Sequence, residues 1–347
     1  MKHLKFLIGF ILLVLTALAS FGTFSLPRVE KGDSDRFSAE RASKHIEVMS
    51  KVPHSVEHPV ERAQVRRYLY DILEDMGGEP EIHEYDSIKF RYGGYFDIGN
   101  VYCQFDPLSG PADSYIMMVA HFDSRFRQTK LQKTVYSYGA GDDAYGVGSI
   151  LELLSQALKY RDEWHQGVRI LFTDSEENAL DGMKCAAKYN PELFENVGYV
   201  VNLESRGMNG PVLLFETSAN NENVLDLYSE AKAPYGYSLT TVVYRFLPNN
   251  TDFTIVKDSI PGINFSTIDN INYYHVDDDN FENINLATIQ HYGAQIEPIL
   301  EEFLTSGEYR DPDALKGDED LVFFTVPILG IFSFTKPQFT LFCSVVF

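Results

Sequence analysis

Short apolar runs alternate with amphipathic segments through the middle of the sequence. Runs such as SYIMMVA, VRILFT and YVVNLE have the length and composition of buried strands, whereas GVGSILELLSQALKY and LATIQHYGAQIEPILEEFL have helical spacing. Such alternation is typical of a mainly parallel sheet connected by helices. The sequence therefore predicts an α/β fold, a three-layer α/β/α sandwich with a mixed, largely parallel central sheet, in one domain over residues 34–306.

Local signals mark where individual elements begin and end. Ser38 is a suitable N-cap for a first helix, and Pro59 suits the first turn of a second helix, which Gly77 and Gly78 terminate. The segments PVLLFE, TTVVYRF and PGINFST are predicted strands, and NNENVLDLYSEAKA is a predicted helix.

The charge balance argues against one class of partner. The 347 residues include 29 Lys and Arg against 50 Asp and Glu, for a formal net charge of −21. A nucleic-acid-binding protein needs a basic face, so no nucleic-acid partner is expected, whereas an acidic chain is compatible with cation binding. Cys103, Cys185 and Cys343 form no CxxC pair, which leaves a Cys103–Cys185 bridge open but argues against a thiolate metal site. A metal site would therefore use His and carboxylates.

The N-terminal segment is strongly apolar. No charged residue occurs from Phe6 to Pro27, and Lys2 and Lys5 precede this run. A run of this length can span a bilayer, and basic residues before it favour a cytoplasmic N-terminus. We therefore expect residues 1–27 to form an uncleaved membrane anchor, with the rest of the domain on the extracytoplasmic or lumenal side. A cleaved signal peptide is the alternative, because Ala17-Leu18-Ala19 has the small-x-small form, and it also exports the domain.

A second apolar segment occurs at the other end of the sequence. From Leu321 to Phe347 the only charged residue is Lys336. Residues 319–347 are therefore predicted to begin a membrane region that is cut short, and a buried C-terminal strand is the alternative.

Polar side chains of metal-binding types follow successive predicted strands. Because the carboxyl ends of parallel strands meet at one edge of a sheet, these side chains are expected to converge. Two histidines with three or four carboxylates and no cysteine suit two zinc ions, or another borderline divalent metal, in a co-catalytic pair. The candidates are His121, Asp123, Asp142, Asp143, Glu176, Glu177, Glu204 and His275.

Six short motifs occur in a characteristic order between about Ser38 and Leu304. They are AHFDS, GAGDDAYG, TDSEENALDG, VNLESRG, NNTDF and YYHVDDDNFENI. Each motif is weak alone, but the ordered set resembles the dizinc aminopeptidases of clan MH, especially the membrane-anchored branch that contains the endoplasmic-reticulum metallopeptidase and the vacuolar membrane protease. The resemblance implies a membrane-anchored zinc metallopeptidase of aminopeptidase type, with two Zn²⁺ per chain. Its expected partners are a peptide substrate, hydrolysed with a metal-bound hydroxide, and the lipid bilayer.

The resemblance also implies which residues bind the metal ions. It pairs His121 with Glu204 at one zinc ion. It pairs Glu177 with His275 at the other. Asp142 is the implied bridge between the two ions, and a cis peptide bond is expected to follow it.

Further residues are expected to support catalysis around these ligands. Glu176 is the implied general base, which takes a proton from water and passes it to the leaving amine. Asp123 and Asp279 follow the two ligand histidines closely, and each is expected to orient the preceding imidazole ring. Asp252, in NNTDF, is expected to help shape the substrate pocket.

Two alternatives remain for the function. The chain could be a catalytically inactive binding or scaffold protein with a peptidase fold, which a measurement of bound zinc would separate from an enzyme. It could also be an acyltransferase like the glutaminyl-peptide cyclases of the same clan, which use a single zinc ion, so that metal stoichiometry would decide. The sequence does not define the preferred substrate side chain or the oligomeric state.

Overall fold

The computed structural model describes residues 2–23, 26–247, 249–326 and 328–346, and the apolar runs of the sequence form strands at its centre. Five of these strands are buried along their whole length, as expected where helices cover both faces of a sheet. The strands are β1 (Glu81–Lys89), β2 (Tyr95–Phe105), β3 (Tyr115–His121), β4 (Gln128–Lys130), β5 (Lys133–Val135), β6 (Gly167–Thr173), β7 (Val197–Ser205), β8 (Leu213–Thr217), β9 (Gly262–Thr267), β10 (Val322–Val326) and β11 (Gly330–Phe334).

Helices connect and flank these strands. The predicted N-cap is confirmed, because the Ser38 hydroxyl accepts a hydrogen bond from the main-chain N–H of Arg41, and Pro59 begins the next helix as predicted. The helices are α1 (Lys2–Thr23), α2 (Ala39–Met49), α3 (Pro59–Asp75), α4 (Ala144–Ala157), α5 (Glu176–Ala179), α6 (Asp181–Tyr189), α7 (Glu222–Tyr228), α8 (Ser238–Tyr244), α9 (Phe253–Val256), α10 (Leu286–Thr305) and α11 (Lys336–Val346).

Seven strands form the central sheet, in the order β1-β2-β6-β3-β7-β9-β8. Strand β3 pairs in parallel with β6 and with β7, and β7 pairs in parallel with β9. The three outer pairings, β1 with β2, β2 with β6, and β8 with β9, are antiparallel. The predicted α/β fold with a mixed sheet is therefore confirmed, and its parallel part consists of the four central strands.

The alternation of side chains along β3 builds a core on each face of the sheet. Ile116, Met118 and Ala120 belong to the larger core with helices α2, α4 and α10. Met117 and Val119 belong to the smaller core on the other face with α6 and α9. Because successive side chains of a strand point to opposite faces, both faces of β3 are apolar, and this matches the uninterrupted apolar run in the sequence.

The predicted strand in TTVVYRF is wrong, because this segment lies in helix α8. Strand β8 already occupies the sheet edge beside β9. Helix α8 packs on β8, where the Thr241 hydroxyl donates to the main-chain oxygen of Phe215 at 2.8 Å and Tyr244 packs edge-on against Phe215. These tertiary contacts override the strand preference of β-branched residues.

The two cysteines that the sequence left open as a pair are both free. Cys103 lies in the larger core, whereas Cys185 of α6 packs with Tyr85 and Ile98 in a separate small cluster. Their places in different clusters explain why no disulfide joins them.

The two terminal segments differ from the membrane spans that the sequence predicts. Among the described residues, no helix has the length and apolarity needed to cross a membrane. Residues 2–23 form α1, and the C-terminal segment contains the hairpin β10–β11 and helix α11. Phe323 of β10 is buried in the larger core, and an 11-residue helix is only about 16 Å long, roughly half of the hydrocarbon thickness of a bilayer. The membrane spans predicted within 1–27 and 319–347 are thus not found among the described residues of these segments.

Candidate metal centre

The predicted metal ligands lie at the carboxyl edge of the four parallel strands. His121 is the last residue of β3, and Glu204 is the last but one of β7. Glu177 lies in α5, directly after β6, and Asp142 lies just before α4. His275 lies in the segment between β9 and α10. The parallel pairing brings these ends together, so the convergence expected from the sequence is present in the fold.

One set of candidate ligands consists of His121, Asp142 and Glu204. The Nε2 atom of His121 lies 3.1 Å from Asp142 Oδ1 and 3.5 Å from Glu204 Oε1. All three side chains are buried, and one ligand atom from each lies within 4.8 Å of the others. A single cation can therefore contact all three.

A second set consists of His275, Glu177 and again Asp142. The Nε2 atom of His275 lies 3.2 Å from Asp142 Oδ2 and 3.1 Å from Glu177 Oε1. The two oxygens of Asp142 are thus divided between the two sets. Division of one carboxylate between two sets is the arrangement expected of a residue that bridges two cations.

Buried atoms without hydrogen-bond partners show that these residues fit a metal. Asp142 Oδ2, Glu177 Oε1 and His275 Nε2 are all buried and make no hydrogen bond within the described part of the chain. A buried polar atom without a partner carries a desolvation cost that a bound cation would remove. Imidazole nitrogen and carboxylate oxygen are also ligands that zinc accepts. Metal binding by each of these residues remains a prediction.

Asp123 links His121 to the loop that carries Glu176. The His121 Nδ1 lies 3.0 Å from the main-chain oxygen of Asp123 and 3.4 Å from its Oδ1. Asp123 Oδ1 also accepts a hydrogen bond from the main-chain N–H of Glu176 at 2.9 Å. Asp123 is therefore placed to orient the imidazole, as the sequence predicts, and it also holds the start of α5.

The carboxylate of Glu176 faces the cleft beside the candidate metal centre. It lines a cavity of about 530 Å³ together with Glu177, Glu204 and His275. Among the described residues, its carboxylate oxygens have no hydrogen-bond donor, since the hydrogen bonds of Glu176 involve only its main chain. This side chain is therefore available to a substrate or to water.

Asp279 has a different role from the one that the sequence predicts. The Ser137 hydroxyl donates to its Oδ2 at 2.7 Å, and the main-chain N–H of Gly141 donates to its Oδ1 at 2.6 Å. Within the described ranges no hydrogen bond joins Asp279 to His275. Asp279 thus positions the loop that leads into Asp142, and burial raises the pKa of its carboxyl group to about 7.

Two other acidic residues hold the backbone near the centre. The peptide bond between Asp142 and Asp143 is cis, as the resemblance implies, and Asp143 caps α4 by accepting the main-chain N–H of Gly146 at 3.1 Å. The Asp252 carboxylate accepts a hydrogen bond from the Thr173 hydroxyl, and burial raises its pKa to about 6. Residues 249–251, which precede Asp252, line the cleft.

Burial and the crowding of carboxylates shift the pKa values of the titratable groups at the centre. Burial raises the pKa of Glu204 to about 7, and burial together with the charge of Glu204 raises the pKa of Glu176 well above its ordinary value. Burial alone would lower the pKa of His275, but Glu177 and its neighbours raise it to about 9. Bound cations would place positive charge among these carboxylates and favour their ionised forms.

The sequence analysis missed two arginines at the centre. Arg125 donates from Nη1 to the main-chain oxygen of Glu177 at 2.9 Å and to its Oε2 at 2.6 Å. Arg206 lines the cleft and lies over the ring of Tyr274, with 5.4 Å between its Cζ atom and the ring centroid. Arg125 follows Asp123 by two residues, and Arg206 follows Glu204 by two. Because alternate residues of an extended chain share one side, this spacing is the signal that could have revealed both arginines.

The fold and the site together define a class of protein. At the carboxyl edge of the mixed sheet, two sets of histidine and carboxylate side chains share the side chain of Asp142. This arrangement defines an α/β protein with a candidate two-metal centre. The sequence profile of peptidase family M28 matches residues 100–300, and the chain belongs to this zinc-dependent family.

A curated relative resembles the chain in sequence. The chain is 31% identical over 260 residues to endoplasmic reticulum metallopeptidase 1 from Homo sapiens, an alignment that covers 73% of this chain and 27% of that protein. The chain thus spans about a quarter of the length of the curated relatives it matches. The recognition of the endoplasmic-reticulum metallopeptidase branch from the sequence motifs is confirmed.

The structural comparisons show the fold. A glutaminyl cyclase from Porphyromonas gingivalis is similar with a TM-score of 0.62 at 18% identity, covering 78% of this chain and 99% of that one. An aminopeptidase from Aneurinibacillus sp. strain AM-1 is similar with a TM-score of 0.61 at 14% identity, covering 83% and 99%. Because the two neighbours carry different names at nearly equal similarity, the fold alone does not select a reaction.

Proposed function

We propose that this chain is a zinc-dependent aminopeptidase that binds two zinc ions and removes residues from the free amino end of peptides. The observation that carries the proposal is the position of Asp142, whose two oxygens lie 3.1 Å from His121 and 3.2 Å from His275 in two separate ligand sets. A shared carboxylate offsets part of the repulsion between two neighbouring dications.

The residues of the cleft supply the remaining parts of a hydrolytic mechanism. Zinc, when bound, supplies a Lewis acid that polarises the peptide carbonyl group and lowers the pKa of water. Glu176 accepts the proton of the attacking water and donates it to the leaving amine. The hydrogen bond from the Glu176 N–H to Asp123 fixes the main chain at Glu176. The general base is thereby held in place beside the candidate metal centre.

An apolar cavity beside Glu204 suits the side chain of the residue that is removed. This cavity of about 270 Å³ is lined largely by apolar side chains from β8 and α8, together with Glu204 and Arg206. A leucine-sized side chain would bury its apolar surface there and gain about 2 kcal/mol. The carboxylates at the entrance suit the free amino group of the same residue.

The two alternative functions predict different metal contents. A single-zinc acyltransferase of the glutaminyl cyclase type shares this fold, but two complete ligand sets favour two ions over one. An inactive scaffold protein does not need buried carboxylate and imidazole atoms without partners, which carry a cost unless a cation binds them. Both observations support the peptidase.

We also propose that the catalytic domain acts at a membrane, on its extracytoplasmic or lumenal side. The name of the endoplasmic reticulum relative supports the lumenal side, and the exposed apolar side chains of α1, such as Phe6 and Leu13, support contact with a membrane. An apolar helix that the rest of the chain does not cover gains free energy by contact with lipid. Carbonate extraction of membranes and protease protection of the full chain test this. Release of the chain by buffer alone would contradict it.

The test of the two-metal site compares a shared ligand with an unshared one. Purified wild-type protein is expected to bind about two zinc ions and to hydrolyse leucine p-nitroanilide. His275→Ala should lower the zinc content by about one ion, whereas Asp142→Ala should lower it by more, because both sets lose a ligand. The zinc content is measured by inductively coupled plasma mass spectrometry, and folding is checked by circular dichroism. One zinc ion in the wild type with formation of pyroglutamyl products would favour the cyclase instead.

A further inference from the structure

We propose that Arg206 is a specificity residue that binds a carboxylate of the substrate, so that the preferred substrates are short peptides with a carboxylate close to the scissile bond. The inference rests on the proposed peptidase function and adds to it a class of substrate. Four observations on the described residues carry it.

The first observation is the position of Arg206 next to the candidate centre. It follows β7 directly, two residues after Glu204, and its main-chain N–H donates to the oxygen of Thr267 at 2.9 Å. Alternate residues of an extended chain point to the same side. In agreement with this, Arg206 and Glu204 line both the polar cleft and the apolar cavity beside it.

The second observation is that the guanidinium group of Arg206 has no anionic partner. The side chain is half-buried, yet within the described ranges it makes no hydrogen bond and no ion pair, and its neighbour is the ring of Tyr274. Arg125, which also lines the cleft, is instead paired with Glu177 through its Nη1 atom. The N–H donors of Arg206 therefore have no protein acceptor among the described residues, and an incoming carboxylate would supply acceptors for them.

The third observation is the sign of the charge around the cleft. The chain as a whole carries a net charge of −21, but Arg91, Arg125, Lys184 and Arg206 all line this one cavity. Arg91 and Lys184 donate from their charged groups to main-chain carbonyl oxygens, and within the described part of the chain neither forms an ion pair with a carboxylate. Glu176, Glu177 and Glu204 line the same cavity, so its charge is mixed, and the basic side chains without a carboxylate partner are the ones available to an anion.

The fourth observation is the shape of the donor group. Arginine presents parallel N–H donors that match the two oxygens of a carboxylate. The carboxylate can belong to the C-terminus of a dipeptide or to an acidic side chain, because both carry the same group. Arg206 therefore acts on substrate choice by binding, and it takes no part in proton transfer.

The experiment compares substrates that differ by one charge. The first arm pairs Leu-Gly with Leu-Gly amide, and the second pairs Leu-Glu amide with Leu-Gln amide. For wild-type zinc-loaded protein, kcat/KM for the charged member of at least one pair is expected to exceed that for the neutral member by about tenfold or more. The arm that shows the preference identifies the source of the carboxylate.

Variants assign this preference to Arg206. Arg206→Gln should bring the charged-to-neutral ratio close to one, and Arg206→Lys, which keeps the charge but loses the fork of donors, should give an intermediate ratio. Arg245→Gln is the matched control, because Arg245 is exposed, follows α8 and lies outside the cleft lining. Its ratio should equal that of the wild type.

A binding measurement separates failure of the inference from failure of the proposed function. Calorimetry with a Leu-Gly analogue in which a CH₂–NH group replaces the peptide bond, as the free acid and as the amide, reports on carboxylate binding without turnover. Absence of hydrolysis of every peptide would count against the peptidase, and calorimetry would still test Arg206. Equal turnover of the charged and the neutral member in both pairs by the wild type, or an unchanged preference in Arg206→Gln, would overturn the inference. Equal binding of the free acid and the amide would also overturn it, provided that the corresponding Leu-Glu amide and Leu-Gln amide analogues bind equally in the same measurement.

Discussion

Arg125 holds Glu177 at two points, its main-chain oxygen at 2.9 Å and its Oε2 at 2.6 Å. The other carboxylate oxygen, Oε1, is thereby left to face His275 Nε2 at 3.1 Å. The ring of Phe126 packs against the guanidinium group, with 4.2 Å between the Cζ atom and the ring centroid. Arg125 therefore fixes the direction in which Glu177 presents its free oxygen to the candidate centre.

Replacement of Arg125 by Gln should weaken the second metal set. Glu177 would lose its charged partner and part of its fixed orientation, and loss of such an outer partner lowers metal affinity by about 10-fold to 100-fold. The affinity for the weaker-bound zinc ion is measured by competition with a chromogenic chelator. Arg127→Gln is the control, since Arg127 pairs with Glu57 at the surface. Equal zinc affinity in the Arg125 and Arg127 variants would contradict the role assigned to Arg125.

Glu176→Gln should separate metal binding from proton transfer. Gln has nearly the same shape as Glu but cannot accept and donate the proton, and loss of a general base costs about 10²-fold to 10⁴-fold in rate. The predicted ligands are unchanged in this variant, so its zinc content should equal that of the wild type. Hydrolysis of leucine p-nitroanilide and bound zinc are measured on the same preparation.

A surface substitution controls for the loss of one negative charge. Glu195→Gln removes a carboxylate from an exposed position outside the cleft lining, and it should keep full activity. Full activity in Glu176→Gln would remove Glu176 from the mechanism.

Most of the sheet and the convergence of the candidate ligands follow from local patterns. The apolar runs that end at His121 and Thr173 are buried on both faces, so their strand character does not depend on long-range contacts. Parallel pairing then brings His121, Glu177 and Glu204 to one edge. Five of the six ordered motifs lie at the end of a strand or the start of a helix, and YYHVDDDNFENI lies in the segment between β9 and α10.

Other features depend on contacts that one sequence does not display. The residues of α8 favour a strand, and they form a helix because β8 already occupies the sheet edge. Asp279 follows His275 by four residues, yet its carboxylate binds Ser137 and Gly141, which are far from it in sequence. Such pairings depend on how separate loops pack, and sequence spacing does not predict them.

The apolar cavity beside Glu204 predicts a preference for apolar residues at the amino end of the substrate. Val243→Glu, which places a charge in the lining, should lower kcat/KM for leucine p-nitroanilide by about tenfold, because a carboxylate there disfavours the burial of an apolar side chain. Val242→Glu is a close control, since Val242 is on the same helix, is 49% exposed against 50% for Val243, and does not line the cavity. Equal losses in the two variants would show that this cavity does not select the substrate.

The buried histidine His291 predicts a pH dependence of stability that is separate from the metal centre. Its Nδ1 accepts the main-chain N–H of Val212 at 2.9 Å, and its Nε2–H donates to the oxygen of Ala233 at 2.8 Å, so the ring is neutral. Burial lowers the pKa of His291 from 6.5 to about 4. Between these two values the unfolded chain binds a proton that the folded chain does not. The free energy of unfolding should therefore fall as the pH drops from 6.5 towards 4, by at most about 1.4 kcal/mol per pH unit from this group.

Comparison with variants isolates the contribution of His291 from that of the many carboxylates. His291→Asn keeps an acceptor for Val212 but cannot be protonated, so urea unfolding at about pH 5 and about pH 7 should give a smaller difference in free energy than the wild type shows. The variant is expected to be less stable at both values, because the hydrogen bond to Ala233 is lost. His165→Asn changes an exposed histidine and should keep the wild-type difference. If His291→Asn also kept it, the neutral buried imidazole would not be the source of the pH dependence.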